Sequence, residues 1–120
     1  MEVTFNNTVP IYLQLAEQIR IAILAGKLAP GERLPSVREL ALSTRANPNT
    51  VQRALQELEE VGLVYTERTN GKFVTQDGAL IERLRTEYAR ELCREYLGKM
   101  REVGYTVAHA TDYIREESKR

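Results

Sequence analysis

Asn49, Thr50, Gln52, Arg53 and Gln56 are hydrogen-bonding side chains gathered in one short segment that opens with Asn47-Pro48. They are the residue types that recognise base edges in a duplex. Asn and Gln bond adenine bidentately, and Arg does the same to guanine. A helix starting there would also offer unpaired N–H groups to a phosphate. Taken alone, such a set is an ordinary solvated face, because polar outer faces are the rule on surface helices. A second basic group follows at Arg68 and Lys72, flanking Asn70-Gly71. A third candidate is His109, Asp112 and Glu116, spaced i, i+3 and i+7, which could share a helix face and bind a metal. That spacing is more often simply solvated. Enzyme chemistry finds no support: the single His109 has no nucleophile at a fixed spacing, and neither a phosphate loop nor paired carboxylates against an apolar wall occur.

The elements flanking the polar segment give it context. Ser36 stands three residues before Glu39 and just ahead of Leu40 and Ala41, the pattern of a capping box, while Pro35 stops any helix running in from upstream. Asn47-Pro48 is an N-cap followed by a proline at the first helical position. Val51, Ala54, Leu55, Leu58 and Val61 then recur at helical spacing and define a buried stripe, ended by Gly62. Leu63 to Thr66 and Phe73 to Thr75 form a hairpin about Asn70-Gly71, where positive φ is wanted, with Arg68 and Lys72 projecting at its tip toward a backbone or a minor groove. Upstream, Ile11 to Ala25 reads as a scaffold helix with Ile11, Leu15, Ile19, Ala22 and Ile23 on one face and Tyr12 beside them. The Val3-Thr4-Phe5 alternation suggests a short extended arm that either pairs with the hairpin or hangs free. The order capped helix, second helix, hairpin is a winged helix-turn-helix, a device for reading double-stranded DNA.

The last third differs. Ala79 to Val103 reads as one helix of roughly 37 Å with Ile81, Leu84, Tyr88, Leu92, Tyr96, Met100 and Val103 in a row. Gly104 closes it, and Thr106 caps a shorter helix bearing Val107, Ala110, Tyr113 and Ile114. Two such helices cannot bury so wide a stripe within one small subunit, so the expected cover is a second copy in a twofold dimer, with Ile81, Leu84, Tyr88, Leu92, Tyr96 and Met100 at the interface. The expected class is therefore mainly α with a small β-hairpin wing. Residues 1–76 make a winged helix-turn-helix domain, and residues 77–120 a C-terminal helical extension for dimerisation or effector sensing.

The run from Pro10 to Val74 closely resembles the N-terminal DNA-binding domain of the GntR family of bacterial transcription regulators. The resemblance rests on Tyr12 and Gln14, on Gly26, Leu28, Pro30 and Gly31, on Leu34-Pro35-Ser36 leading to Arg38, Leu40 and Ala41, on Asn47 to Val51, and on the Leu58, Gly62, Leu63 corner. It implies DNA contacts from Arg38, Asn47, Asn49, Thr50 and Arg53, with Arg68, Gly71 and Lys72 on the wing. Gln52 and Arg45 join them as candidates from the residues themselves, Arg45 as a phosphate contact or a solvated turn residue. Two departures stand out: the usual Arg-Gly-Lys-Gly-Thr-Phe-Val wing is here Arg68-Thr69-Asn70-Gly71-Lys72-Phe73-Val74, and the turn carries Arg45-Ala46. Lys72 is expected to restore the charge of the missing wing lysine. A long helix followed by a short one is also what the small YtrA-type branch of that family carries. That likeness implies a dimeric repressor on an inverted-repeat operator, with a transporter operon as a candidate target.

A chain of 120 residues with 42% hydrophobic content accommodates one compact domain and an oligomerising extension. No run approaches a membrane span, no signal peptide opens the chain, and the lone Cys93 falls on an apolar face, so a cytoplasmic bacterial setting is expected. The formal net charge of zero hides a local bias: Arg33, Arg38, Arg45 and Arg53 face only Glu39, while Glu57, Glu59 and Glu60 follow. Random DNA should therefore be bound weakly, and the affinity should fall steeply with salt. The expected partners are double-stranded DNA and a second copy; no cofactor is implied and no effector is identified. The alternatives are a metal- or small-molecule-responsive regulator with its sensor on the C-terminal helices, and an interaction module without DNA binding.

Overall fold

The computed structural model describes residues 3–120. In chain order the elements are α1 (Ile11–Leu24), α2 (Val37–Thr44), α3 (Pro48–Glu60), β1 (Val64–Glu67), β2 (Gly71–Val74), α4 (Gly78–Glu102) and α5 (Val107–Glu117). Contacts divide the chain into two compact units, Met1–Arg83 and Leu84–Arg120, so the division falls inside α4.

In the first unit the core is built where α1 meets α3. Leu15, Ile19 and Ile23 from α1 and Val51, Ala54, Leu55 and Leu58 from α3 are buried, joined by Leu34, Leu40, Leu63, Val64 and Val74. Burying a side chain of Leu or Ile size is worth about 1.5–3 kcal/mol, so this seam dominates the unit. Ile11 and Val61, assigned from periodicity to the buried faces, are 44% and 50% exposed. Each sits at an end of its helix: Ile11 opens α1 and Val61 is the C-cap of α3.

Local chemistry sets the element boundaries. Ser36 Oγ accepts from the Glu39 N–H at 3.1 Å while Glu39 Oε1 accepts from the Ser36 N–H at 3.1 Å, a closed capping box at the start of α2. Asn47 Oδ1 accepts from the Asn49 N–H at 2.8 Å to cap α3. Gly62 ends that helix at φ +83°, as its left-handed position requires.

β1 and β2 pair antiparallel with Val64 opposite Val74 and Glu67 opposite Gly71. The connection is thus the three residues Arg68, Thr69 and Asn70, with Gly71 already on β2. Only Gly71, at φ +100°, carries the positive φ that the tip needs. The hairpin also has a third, shorter partner: Arg33 bridges Phe73, with the Leu34 N–H donating to Lys72 O at 2.8 Å and the Val74 N–H to Glu32 O at 2.9 Å. The extended N-terminal residues do not take that place. Asn6 is tied to α1, its N–H donating to Gln14 Oε1 at 3.0 Å and its carbonyl accepting from Gln14 Nε2 at 2.9 Å.

The second unit is organised differently. No residue of α4 is buried, and in α5 only Ala110 is. Thr106 Oγ1 accepts from the His109 N–H at 3.2 Å to cap α5, and Tyr96 donates its hydroxyl proton to Ala110 O at 2.7 Å. Tyr105 and Tyr113 meet edge to face at 5.2 Å.

A Cβ on Gly62 would sit 3.2 Å from Leu80 Cδ2 and would force a side chain into the left-handed region. Gly62→Ala is accordingly expected to lower unfolding stability by roughly 1–2 kcal/mol from the backbone alone, read as a drop in urea midpoint at unchanged slope.

Candidate nucleic-acid interface

With Val51, Ala54, Leu55 and Leu58 turned into the core, the other side of α3 is turned outward: Asn47, Asn49, Gln52, Arg53 and Gln56 are exposed and Thr50 is half-buried. Arg38 on α2 is exposed as well. Their capacities differ. Asn47 uses its carboxamide oxygen on the helix cap, so only its NH2 remains to donate outward and it cannot bond adenine bidentately. Asn49 and Gln52 keep both functions available on an exposed surface.

Arg53 is held by a contact that spacing does not reveal. Its guanidinium carbon lies 3.9 Å from the centroid of the Tyr12 ring. Stacking of this kind is worth about 0.5–1 kcal/mol at exposed sites and leaves the edge donors of the guanidinium free for a planar acceptor. Tyr12 thus positions Arg53.

Arg45 occupies the turn between α2 and α3 at φ 57° and ψ 32°, the only non-glycine with positive φ among the described residues. The left-handed conformation costs a side-chain-bearing residue roughly 1–2 kcal/mol. The side chain is exposed, beside the start of α3.

The wing differs most from its expected form. Arg68 is exposed at the tip, but Lys72 does not project with it. Its Nζ is salt-bridged to Glu59 of α3 and donates to Thr66 Oγ1 at 2.8 Å, while Thr66 also donates to Glu59. The Lys72 side chain is only 20% exposed. The expectation that Lys72 restores charge at the tip is therefore corrected: a carboxylate on the neighbouring helix neutralises it, and the pair staples the wing to α3. Nothing in local spacing announces a partner so far along the chain. Burial works to raise the Glu59 pKa, but the hydrogen bonds from Lys72 and Thr66 and the Lys72 charge outweigh it and hold it below 4.5. Glu39 is likewise lowered, chiefly by its backbone and side-chain hydrogen bonds from Ser36, with a small contribution from the Arg33 charge.

On the C-terminal helices, Ile81, Leu84, Tyr88, Tyr96 and Met100 are half-buried and Leu92 is 51% exposed. Val103, Val107, Tyr113 and Ile114 are also exposed, as is the free Cys93. Tyr96, Met100, Tyr105, Tyr113, Ile114 and Glu117 line an open apolar cavity of about 480 Å³. His109, Asp112 and Glu116 line a smaller one together with Tyr105 and Tyr113. Yet among the described residues no group of His, Cys, Asp and Glu is disposed to hold a metal ion. The His109 Nδ1 faces Thr106 Oγ1 at 3.2 Å, because the residue belongs to the α5 cap. No helix among the described residues is long and apolar enough to cross a membrane.

Comparison with known proteins points the same way. Residues 11–74 match the family model of bacterial regulatory proteins, gntR family. The chain is 40% identical over 115 residues to the uncharacterized HTH-type transcriptional regulator YhcF of Bacillus subtilis (strain 168), spanning 96% of this chain and 95% of that protein. It is 43% identical over 72 residues to the HTH-type transcriptional repressor YtrA of the same bacterium, covering 60% of this chain and 55% of that one. Among solved structures, a GntR family transcriptional regulator from Listeria monocytogenes superposes with a TM-score of 0.89 at 36% identity, over 93% of this chain and 98% of that one. The DNA-binding domain of AraR, solved in complex with operator ORE1, superposes with a TM-score of 0.58 at 26% identity, over 62% of this chain and 98% of that domain.

The lowered Glu59 pKa has a definite sign. A depressed folded-state value contributes stability that is fully present above the unfolded value and is lost as pH falls through the folded one. Glu59→Gln is expected to be less stable than wild type at neutral pH, with the two denaturation midpoints converging as pH drops below 4.5. A gap that persisted in acid would mean that the Glu59 charge does not hold the wing.

Proposed function

Since the chain belongs to the gntR family of bacterial regulatory proteins, which are DNA-binding transcription regulators, we propose that it acts as a homodimeric repressor on an inverted-repeat operator. Residues 1–76 are the reading domain and residues 77–120 the dimerising extension. The observation that carries the DNA contact is the exposed polar edge of α3 opposite a fully buried stripe. Asn49, Gln52 and Arg53 read bases in the major groove, with Arg38 beside them. Asn47, Thr50 and Arg45 donate to the flanking backbone, and Arg68 and Gly71 approach the duplex from the wing. The operator-bound AraR domain supports this arrangement by likeness of fold.

Dimerisation is supported by apolar surface that the subunit leaves open. Leu92 stands half-exposed in the middle of α4, and no residue of that helix is buried. Such surface marks an interaction site in a soluble chain. Tyr96 and Met100 belong to both the α4 row and the large cavity, so a second copy laid on this row would also close the cavity. Twofold symmetry then supplies two reading heads for one duplex, the match to an inverted repeat.

Gel-shift titration against fragments of the chain's own genome tests the core of the proposal; a wild-type chain that retards no fragment at low salt would leave only a protein-interaction role. Arg38→Ala is expected to cost about 1–3 kcal/mol of binding to the selected fragment with the dimer intact, and an equal loss on scrambled DNA would reduce Arg38 to a phosphate contact. Leu92→Glu is expected to yield monomers by sedimentation and to weaken operator binding in step. A variant still dimeric would show that α4 pairs through another face.

A further inference from the structure

Arg33 lies outside the reading helices and outside the hairpin, yet the backbone carries it to the wing. The bridge to Phe73 and the flanking bonds through Glu32 and Leu34 make its segment a third strand-like edge beside β2. Its side chain is exposed and reaches across Gly71: a Cβ placed on that glycine would lie 3.5 Å from Arg33 Nε and 3.6 Å from Nη2. The guanidinium thus lies beside the Gly71 backbone, at a distance where an added Cβ would make ordinary van der Waals contact with it. Arg33, Ser36, Glu67, Arg68, Gly71 and Lys72 all line a crevice of about 260 Å³ between the start of α2 and the wing.

Charge in that crevice is unevenly available. Lys72 is neutralised by Glu59. Glu67 accepts from Asn70 Nδ2 at 3.2 Å, and Glu39 is committed to the Ser36 cap while feeling the Arg33 charge. Arg33 and Arg68 remain as exposed cations with no salt bridge among the described residues. They come from separate segments that line the same crevice as the exposed Gly71. An oxyanion entering the crevice would meet two planar forks, the arrangement suited to phosphate.

We propose that Arg33 and Arg68 form a clasp for a DNA backbone phosphate at the wing, and that Arg33 supplies the charge which Lys72 does not. The clasp rests on the DNA-binding role proposed above and adds to it a contact drawn from outside the helix-turn-helix and the wing. It also gives a reason for the wing's departure from the usual pattern: with Thr69 and Asn70 at the tip, the missing cation is provided from the strand before α2.

The test measures affinity against salt for the full chain on two duplexes, one of random sequence and one selected from genomic fragments. Removing a single phosphate partner should reduce the slope of log affinity on log salt by about 0.9. Arg33→Gln, which removes one such contact from each subunit of the proposed dimer, is expected to lower the slope by about 1.8 on both duplexes, Arg33→Lys to recover it, and Lys72→Gln to keep the wild-type slope. Arg33 gives only its backbone to the sheet, so the variant should melt as wild type does; Arg33→Met serves the same measurement if the glutamine variant does not fold. An unchanged slope for the Arg33 variant, or a decrement for the Lys72 variant, overturns the clasp while leaving DNA binding intact. A loss confined to the selected duplex overturns it too, by making Arg33 a base reader. Failure of wild type to bind either duplex would instead remove the DNA-binding role and the clasp together.

Discussion

Val51, Ala54, Leu55 and Leu58 are withdrawn from solvent along one side of α3, and Leu15, Ile19 and Ile23 meet them from α1. That seam decides what the rest of the reading domain can do. A helix has only one direction left to face once a stripe of this width is buried, so Asn49, Gln52 and Arg53 are outward because the leucines are inward. The same packing brings Tyr12 of α1 under the Arg53 guanidinium. One hydrophobic contact thus fixes both the orientation of the recognition edge and the pose of its most strongly charged member.

Around the seam, fixed charges are distributed between holding and reaching. Glu39 and Glu59 are both pulled below the usual carboxylate range, the first mainly by the Ser36 hydrogen bonds and the second by Lys72 and Thr66 against its own burial. Each carboxylate is employed in architecture, closing a helix end or fastening the wing. The formal net charge of zero is therefore a poor guide to the field a duplex would meet. Carboxylates engaged within the fold leave Arg33, Arg38, Arg45 and Arg68 exposed on the reading domain. Exposed arginines contribute little to stability, and their exposure agrees with the phosphate and base contacts proposed for them.

Local signals in the chain are enough for most of this. The capping box at Ser36 and Glu39, the Asn47-Pro48 start and the Gly62 stop are carried by adjacent residues, and all three lie where their types require. Features that do not show in the sequence have a common cause. The Glu59–Lys72 pair, the Arg53–Tyr12 stack and the Arg33–Phe73 bridge each join residues far apart along the chain, with no period linking them. Type alone makes Lys72 look like a projecting cation at a hairpin tip; tertiary position makes it a fastener. At the tip, Asn70-Gly71 marks the turn, with Asn70 ending the three-residue connection and Gly71 opening β2.

The two compact units stand in opposite relation to their own surfaces. The first buries a continuous set of aliphatic side chains and caps the starts of α2 and α3 with side chains. The second orders two helical segments around a single buried alanine, a tyrosine hydroxyl on a backbone carbonyl and a pair of tyrosines at 5.2 Å. Fixing a backbone costs about 1–2 kcal/mol per residue, and that cost is normally offset by buried apolar area. Here the offsetting area is present in the side chains but absent from the fold of one subunit: Leu92, Val103, Val107 and Ile114 all remain substantially exposed. An intrahelical ion pair such as Arg94–Glu91, at 3.1 Å on an exposed face, adds a few tenths of a kcal/mol. Helix propensity and surface charge offset little of that cost, and burial of those side chains against the proposed second copy would offset more. In the proposed dimer, association and the folding of the C-terminal helices would be coupled, and with them the number of reading heads on a duplex.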